Sequence, residues 1–173
     1  MIKAMKDFQI PMRVEVDKDT LSPTFGRFTT EAFDRGFGST VGNSLRRMSL
    51  SSLSFAAVTT VKSEGVLHEF STIPGVTEDV TSIILNVKSL RLALQGDKPK
   101  TIRLKKKGPG EAKGSDITHD GDVTILTPDL HIATLDKDAS LDLEMTIKHG
   151  RGFVPAERNK EEGLPIGVIA VDS

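Results

Sequence analysis

The chain contains no cysteine. Disulfides and thiolate metal sites are excluded, and the composition suits a reducing compartment. No stretch approaches the ~18 uninterrupted apolar residues of a membrane-spanning helix. The first residues, where Lys3, Lys6 and Asp7 interrupt short apolar pairs, make no secretory signal. Charge of one sign is also missing: 23 Lys and Arg stand against 24 Asp and Glu, a net charge of −1. That balance supplies too little positive field for broad binding to nucleic acid. The expectation is a cytoplasmic globular chain with no membrane contact. Its 173 residues allow one domain or two small ones.

Catalytic signatures are missing as well. No serine sits in a nucleophile elbow, and no pair of carboxylates has a spacing that separates it from ordinary surface charge. Asp116, His119, Asp120 and Asp122 gather oxygen ligands but lack the ~12-residue calcium-loop pattern and its terminal glutamate. The histidines are too scattered for zinc. Asp120-Gly121, between Ile117 and Val123, reads instead as a hairpin turn. Gly150-Arg151-Gly152 and the lysines at 105–107 have no interleaved aromatics of the kind a single-strand platform uses. Neither a metal nor another cofactor is expected, nor a direct nucleic-acid contact.

What is present is concentrated in residues 35–52. Gly36, Gly38 and Gly42 permit a tight turn, and Val41, Leu45 and Met48 follow at helical spacing to define one apolar face. The glycines fit neither the dinucleotide fingerprint nor the P-loop, since no Lys-Ser or Lys-Thr pair follows and no acidic residue stands about 20 positions on. The helix is therefore either a core helix behind a turn, with Gly42 and Ser44 letting another backbone pack close, or one offered to a partner. Arg46 and Arg47 lie about 100° apart around it, so one narrow face cannot hold both.

Elsewhere the pattern is mostly β. Strands are expected at 8–16 and 24–33, a helix at about 38–52, and a strand at 56–61. Thr77 is expected to cap a second helix, with Glu78 and Asp79 in its first turn. Val80, Ile83, Ile84, Val87 and Leu90 form the apolar stripe of that helix. Short strands follow at 90–94, 101–105, 123–126, 131–135, 141–147 and 166–171, and Lys105 to Ser115 reads as an exposed loop. The economical reading is an α+β fold: a sheet with one supporting helix.

Four ordered blocks carry a family resemblance. They are Arg-Gly-Phe-Gly-Ser-Thr-Val-Gly-Asn-Ser-Leu-Arg-Arg (35–47), Gly-Val-Leu-His-Glu-Phe-Ser-Thr (65–72) followed by Gly-Val-Thr-Glu-Asp (75–79), Asp-Ile-Thr-His-Asp-Gly-Asp-Val (116–123), and Gly-Arg-Gly-Phe-Val-Pro-Ala (150–156). In this order they resemble the amino-terminal domain of the bacterial RNA polymerase alpha subunits, from about residue 8 to Ser173. The resemblance implies a dimerisation subdomain, residues 1–52 and 166–173, interrupted by an inserted, mainly β subdomain at 53–165. It implies a non-catalytic scaffold that pairs with a second alpha subunit through Val41, Leu45 and Met48 and gathers the large beta and beta-prime subunits.

By the same resemblance, Arg47 and Leu50 would touch the beta subunit, with His68, Glu69, Phe70, Ser71 and Thr72 beside it. Residues 157–164 would lie near beta-prime. On the residues alone, Arg47 reads first as a solvated helix-end cation, while Phe70 is equally a core residue and His68 equally a hydrogen-bonded loop histidine. The family continues past the position of Ser173 with a helix that packs on the first one. The expectation is that this chain is a piece of a longer subunit and dimerises poorly alone, because its apolar helix face lacks that cover.

Overall fold

The computed structural model describes residue 9 and residues 11–160 and 163–173. The architecture is α+β, in two compact units, residues 1–49 and 50–173.

In the first unit, strands β1 (Glu15–Val16) and β2 (Phe28–Thr29) pair antiparallel, Glu15 opposite Thr29 and Val16 opposite Phe28. They are far shorter than the strands expected at 8–16 and 24–33; Phe8 and Ile10 lie outside the described residues. Among the described residues no third strand lies beside these two, which leaves little on which to bury an apolar face, and Phe25 and Phe28 remain exposed. Helix α1 (Phe37–Ser51) begins after Gly36, whose φ of +83° turns the chain, and runs through the division between the units.

The second unit is built on β3 (Ser54–Ser63), β4 (Leu92–Leu94), β5 (Lys100–Lys107), β7 (Ile117–Thr118), β8 (Val123–Ile125) and β10 (Ser140–Arg151), in the spatial order β7-β5-β10-β3-β4-β8. Strand β11 (Val168–Ala170) joins the free part of the β3 edge, opposite Thr60 to Lys62. Residues 166–173 thus pack with this unit, Ile169 and Val171 in its core. In a flat sheet, five spacings of ~4.8 Å would hold β7 and β8 roughly 24 Å apart. Residues 119–122 are all that joins them, and the five steps from Thr118 to Val123 reach roughly 18 Å at most. The sheet is therefore curled. Asp120 accepts the Val123 N–H at 3.1 Å, so the expected turn is there, but its flanking strands pair with β5 and β4 rather than with each other. The hairpin reading is corrected on that point.

The curl encloses the core. Leu141, Leu143, Met145 and Ile147 line one face of β10, meeting Ile102 and Leu104 of β5. A bulge opposite Thr146 and Ile147 leaves Thr59 without a partner, so that Val58 and Val61, three apart, both face inward. The Thr59 hydroxyl donates to the Thr146 carbonyl at 3.3 Å. On the outer face, Asp142 is nearly covered by Arg103, which donates through two nitrogens at 2.7 and 3.0 Å. That pairing holds the Asp142 carboxyl below the usual range.

Helix α2 (Val80–Lys88) turns Val80, Ile83 and Val87 into the core against β9 (His131–Leu135) and β3. Its cap is Asp79, not the expected Thr77: Asp79 Oδ1 accepts the Ser82 N–H at 2.7 Å. The reason is competition from β9. The Thr77 N–H donates to the Thr134 carbonyl at 3.0 Å and the Glu78 side chain is held by the same strand, so the helix can begin only after them.

The expected loop from Lys105 to Ser115 is also corrected. β5 runs to Lys107, and β6 (Gly110–Lys113) pairs with β9, carrying Ala112 into the core; a 3-10 turn at Gly114–Asp116 follows. Alternating small and charged residues conceal that strand. A short helix α3 (Ala156–Asn159) is tied to the end of the chain by Asn159, which donates to the Val171 carbonyl at 2.7 Å.

Candidate protein-interaction site

Helix α1 is amphipathic in sequence, yet none of its residues is buried. Val41 is half-buried, while Leu45, Met48 and Leu50 are 60–65% exposed. Val41, Leu45 and Met48 fall at i, i+4 and i+7 along one face. Arg47 is exposed and lies three residues before Leu50, hence on the same side of the helix as Leu50.

A second exposed feature is the loop after β3. Gly65, at φ +78°, turns the chain; buried Val66 anchors one end of the loop and buried Ile73 the other. Between these anchors the backbone is held out, with Leu67 71% and Phe70 81% exposed. Phe70 is therefore not a core residue. His68 and Ser71 close a turn, the Ser71 N–H donating to the His68 carbonyl at 3.2 Å and the Ser71 hydroxyl lying 3.1 Å from His68 Nδ1. The amino end of α2 clasps that turn: the Val80 N–H donates to the Ser71 carbonyl at 3.1 Å, and the Thr81 hydroxyl to the Glu69 carbonyl at 2.9 Å. Thr72 bridges Asp79. Residues 68–72 are thus brought together in one turn that offers an aromatic ring with polar neighbours.

Glu78, expected in the first turn of the helix, is held instead by β9. Glu78 accepts from the Thr134 N–H at 2.6 Å, and its other oxygen lies 2.9 Å from His131 Nε2 and 3.1 Å from the Thr134 hydroxyl. Partial burial by itself pushes the Glu78 carboxyl up, but the Thr134 and His131 contacts favour the anion, and the group ends below its ordinary value. A carboxyl lowered on folding stabilises the fold above its unfolded pKa; that contribution disappears as the pH falls through the folded value. Glu78→Gln should therefore be less stable than the parent at pH 7, with a smaller loss of stability between pH 6 and pH 3. Chemical denaturation at both pH values checks this, and parallel curves would contradict it.

The acidic stretch at 116–122 is occupied by lysines: Lys106 lies 2.6 Å from Asp116 and Lys100 2.6 Å from Asp122. Among the described residues, no three His, Asp or Glu gather as metal ligands would. No helix among them is long and apolar enough to cross a membrane.

Residues 58–173 match the family model described as the RNA polymerase Rpb3/RpoA insert domain. The chain belongs to the bacterial RNA polymerase alpha-subunit family. It is 58% identical over 161 residues to the DNA-directed RNA polymerase subunit alpha of Alkaliphilus oremlandii, covering 93% of this chain and 51% of that protein. The subunit alpha of Geobacter metallireducens is 50% identical over all 173 residues, with 51% of its own length covered. That of Symbiobacterium thermophilum is 59% identical over 150 residues, covering 87% and 48% of the two chains. This alpha-family chain spans about half the length of these relatives. The matched segment includes the 68–72 loop and the whole of α2.

Proposed function

We propose that the chain is an assembly scaffold of bacterial DNA-directed RNA polymerase, carrying no catalytic site of its own and acting in the cytoplasm. Two copies pair through the first ~50 residues, using the α1 face of Val41, Leu45 and Met48. The paired scaffold gathers the beta and beta-prime subunits. Arg47 and Leu50 of α1 and the turn from His68 to Thr72 contact the beta subunit; neither cofactor nor metal takes part, and nucleic acid is not touched directly by this segment.

The observation that carries this reading is the exposure of α1. A helix of 15 residues with no buried side chain has little tertiary packing to sustain it, whereas most helical stability in proteins comes from burying an apolar face. Exposed Leu45, Met48 and Leu50 supply the apolar surface, and the adjacent Arg47 supplies a forked donor of the kind enriched at interface hot spots. Phe70 adds a second anchor, since an exposed aromatic with a polar surround is typical of binding surfaces.

The test is capture of the beta subunit by the tagged full-length alpha subunit carrying this sequence. Arg47→Ala should weaken capture by at least about tenfold in a protein that still unfolds cooperatively. Undiminished capture by Arg47→Ala, with the protein folded, would remove Arg47 from the interface.

A further inference from the structure

We propose that Thr81 is a positioning residue for the partner-binding turn, its hydroxyl fixing the peptide that aims Phe70. This rests on the reading of residues 68–72 as a contact to a large polymerase subunit. The Ser71 N–H to His68 carbonyl bond makes 68–71 a four-residue turn, with Glu69 and Phe70 in its central positions. The carbonyl of Glu69 therefore belongs to the central peptide of the turn. Rotation of that peptide is what distinguishes one turn type from another, and it changes the backbone direction from which the following side chain leaves. Phe70 is that following residue.

The Thr81 hydroxyl donates to this carbonyl at 2.9 Å, twelve residues back along the chain. Among the described residues no other group from outside the turn bonds to the backbone of 67–70. The geometry is not a by-product of helix capping: Asp79 already serves as the cap, through Ser82. Thr81 is the second residue of α2, so no earlier turn of the helix offers it a carbonyl, and water would ordinarily satisfy its hydroxyl. Here it reaches out to a loop whose apolar side chains, Leu67 and Phe70, are left in solvent. A ring held at 81% exposure on an unrestrained loop would lose conformational freedom on binding; a loop fixed beforehand avoids that cost.

The test uses the full-length subunit and the beta subunit of the same bacterium, with equilibrium binding measured for the parent and four variants. Thr81→Val keeps the shape and removes the donor; it should weaken binding about 3- to 10-fold. In the free chain it should also raise hydrogen exchange at the Ser71 amide. Thr81→Ser restores a hydroxyl and should bind like the parent. Phe70→Ala should bind weakly and gain nothing from adding Thr81→Val, because there is then no ring to aim. Parental affinity in Thr81→Val alongside weak binding by Phe70→Ala would overturn this inference alone. Loss of binding in both Thr81→Val and Thr81→Ser would also overturn it, since the hydroxyl would then be irrelevant. Parental affinity in Phe70→Ala would overturn the interface reading and this inference with it.

Discussion

Gly108→Ala should lower the unfolding temperature of the chain by roughly 10 °C or more. The added Cβ would fall on the carbonyl oxygen of Asp136, with the Asp136 carbonyl carbon only 2.9 Å away and Leu135 Cβ at 3.2 Å. Backbone cannot swing aside as the end of a flexible side chain does. This backbone is also tied down: the Gly108 N–H donates to the Ala139 carbonyl at 2.9 Å, the Ala139 N–H to the Asp136 carbonyl at 3.1 Å, and the Asp136 N–H to the Gly75 carbonyl at 2.8 Å. Relief would require separating the link between β5 and β6 from the link between β9 and β10. The cost lies at or above the top of the ~1–3 kcal/mol usual for overpacking. A thermal melt checks it, and a change under about 2 °C would show that the turn adapts.

Leu104→Ala is expected to cost about 2–5 kcal/mol. Leu104 has no exposed surface and sits in β5 with Leu143 of β10 opposite it on one side and Ile117 of β7 on the other. Three strands depend on that one side chain to fill the inside of the curl. With strands hydrogen-bonded on both sides, collapse around the vacated space is restricted, which favours the upper part of the range. Urea denaturation should show a lower midpoint with an unchanged slope. A loss below about 1 kcal/mol would mean that the core refills the space.

Both sites illustrate what the sequence could and could not reveal. The apolar stripe of α2 and the span of β9 from His131 to Leu135 were legible because their periodicity survives in the fold. The start of α2 was not: Thr77 and Asp79 are equally good caps locally, and β9, more than 40 residues later, decides between them by holding Thr77 and Glu78. Likewise β6 is too short and too rich in small and charged residues to announce itself, and only its pairing with β9 makes it a strand. Non-local pairing also separates β7 from β8, two runs that local reading joins as a hairpin.

The candidate site divides along the same line. Val41, Leu45 and Met48 share one face as their spacing requires, and local pattern was sufficient for that. Whether Phe70 was buried could not be settled from its neighbours. Its exposure depends on Val66 and Ile73 anchoring both ends of the loop, and the role argued for Thr81 depends on a contact across twelve residues.

The central claim, that this chain meets a large polymerase subunit through the turn at 68–72, is most directly tested by thiol footprinting. These 173 residues contain no cysteine, so Glu69→Cys introduces the only thiol among them, at an exposed position whose side chain makes none of the bonds that hold the turn. Alkylation should slow by at least about tenfold when the beta subunit is added, the order expected when an interface excludes solvent; Asp97→Cys, in the exposed turn after β4, should label at an unchanged rate. Equal labelling of Glu69→Cys with and without bound beta subunit would contradict the account.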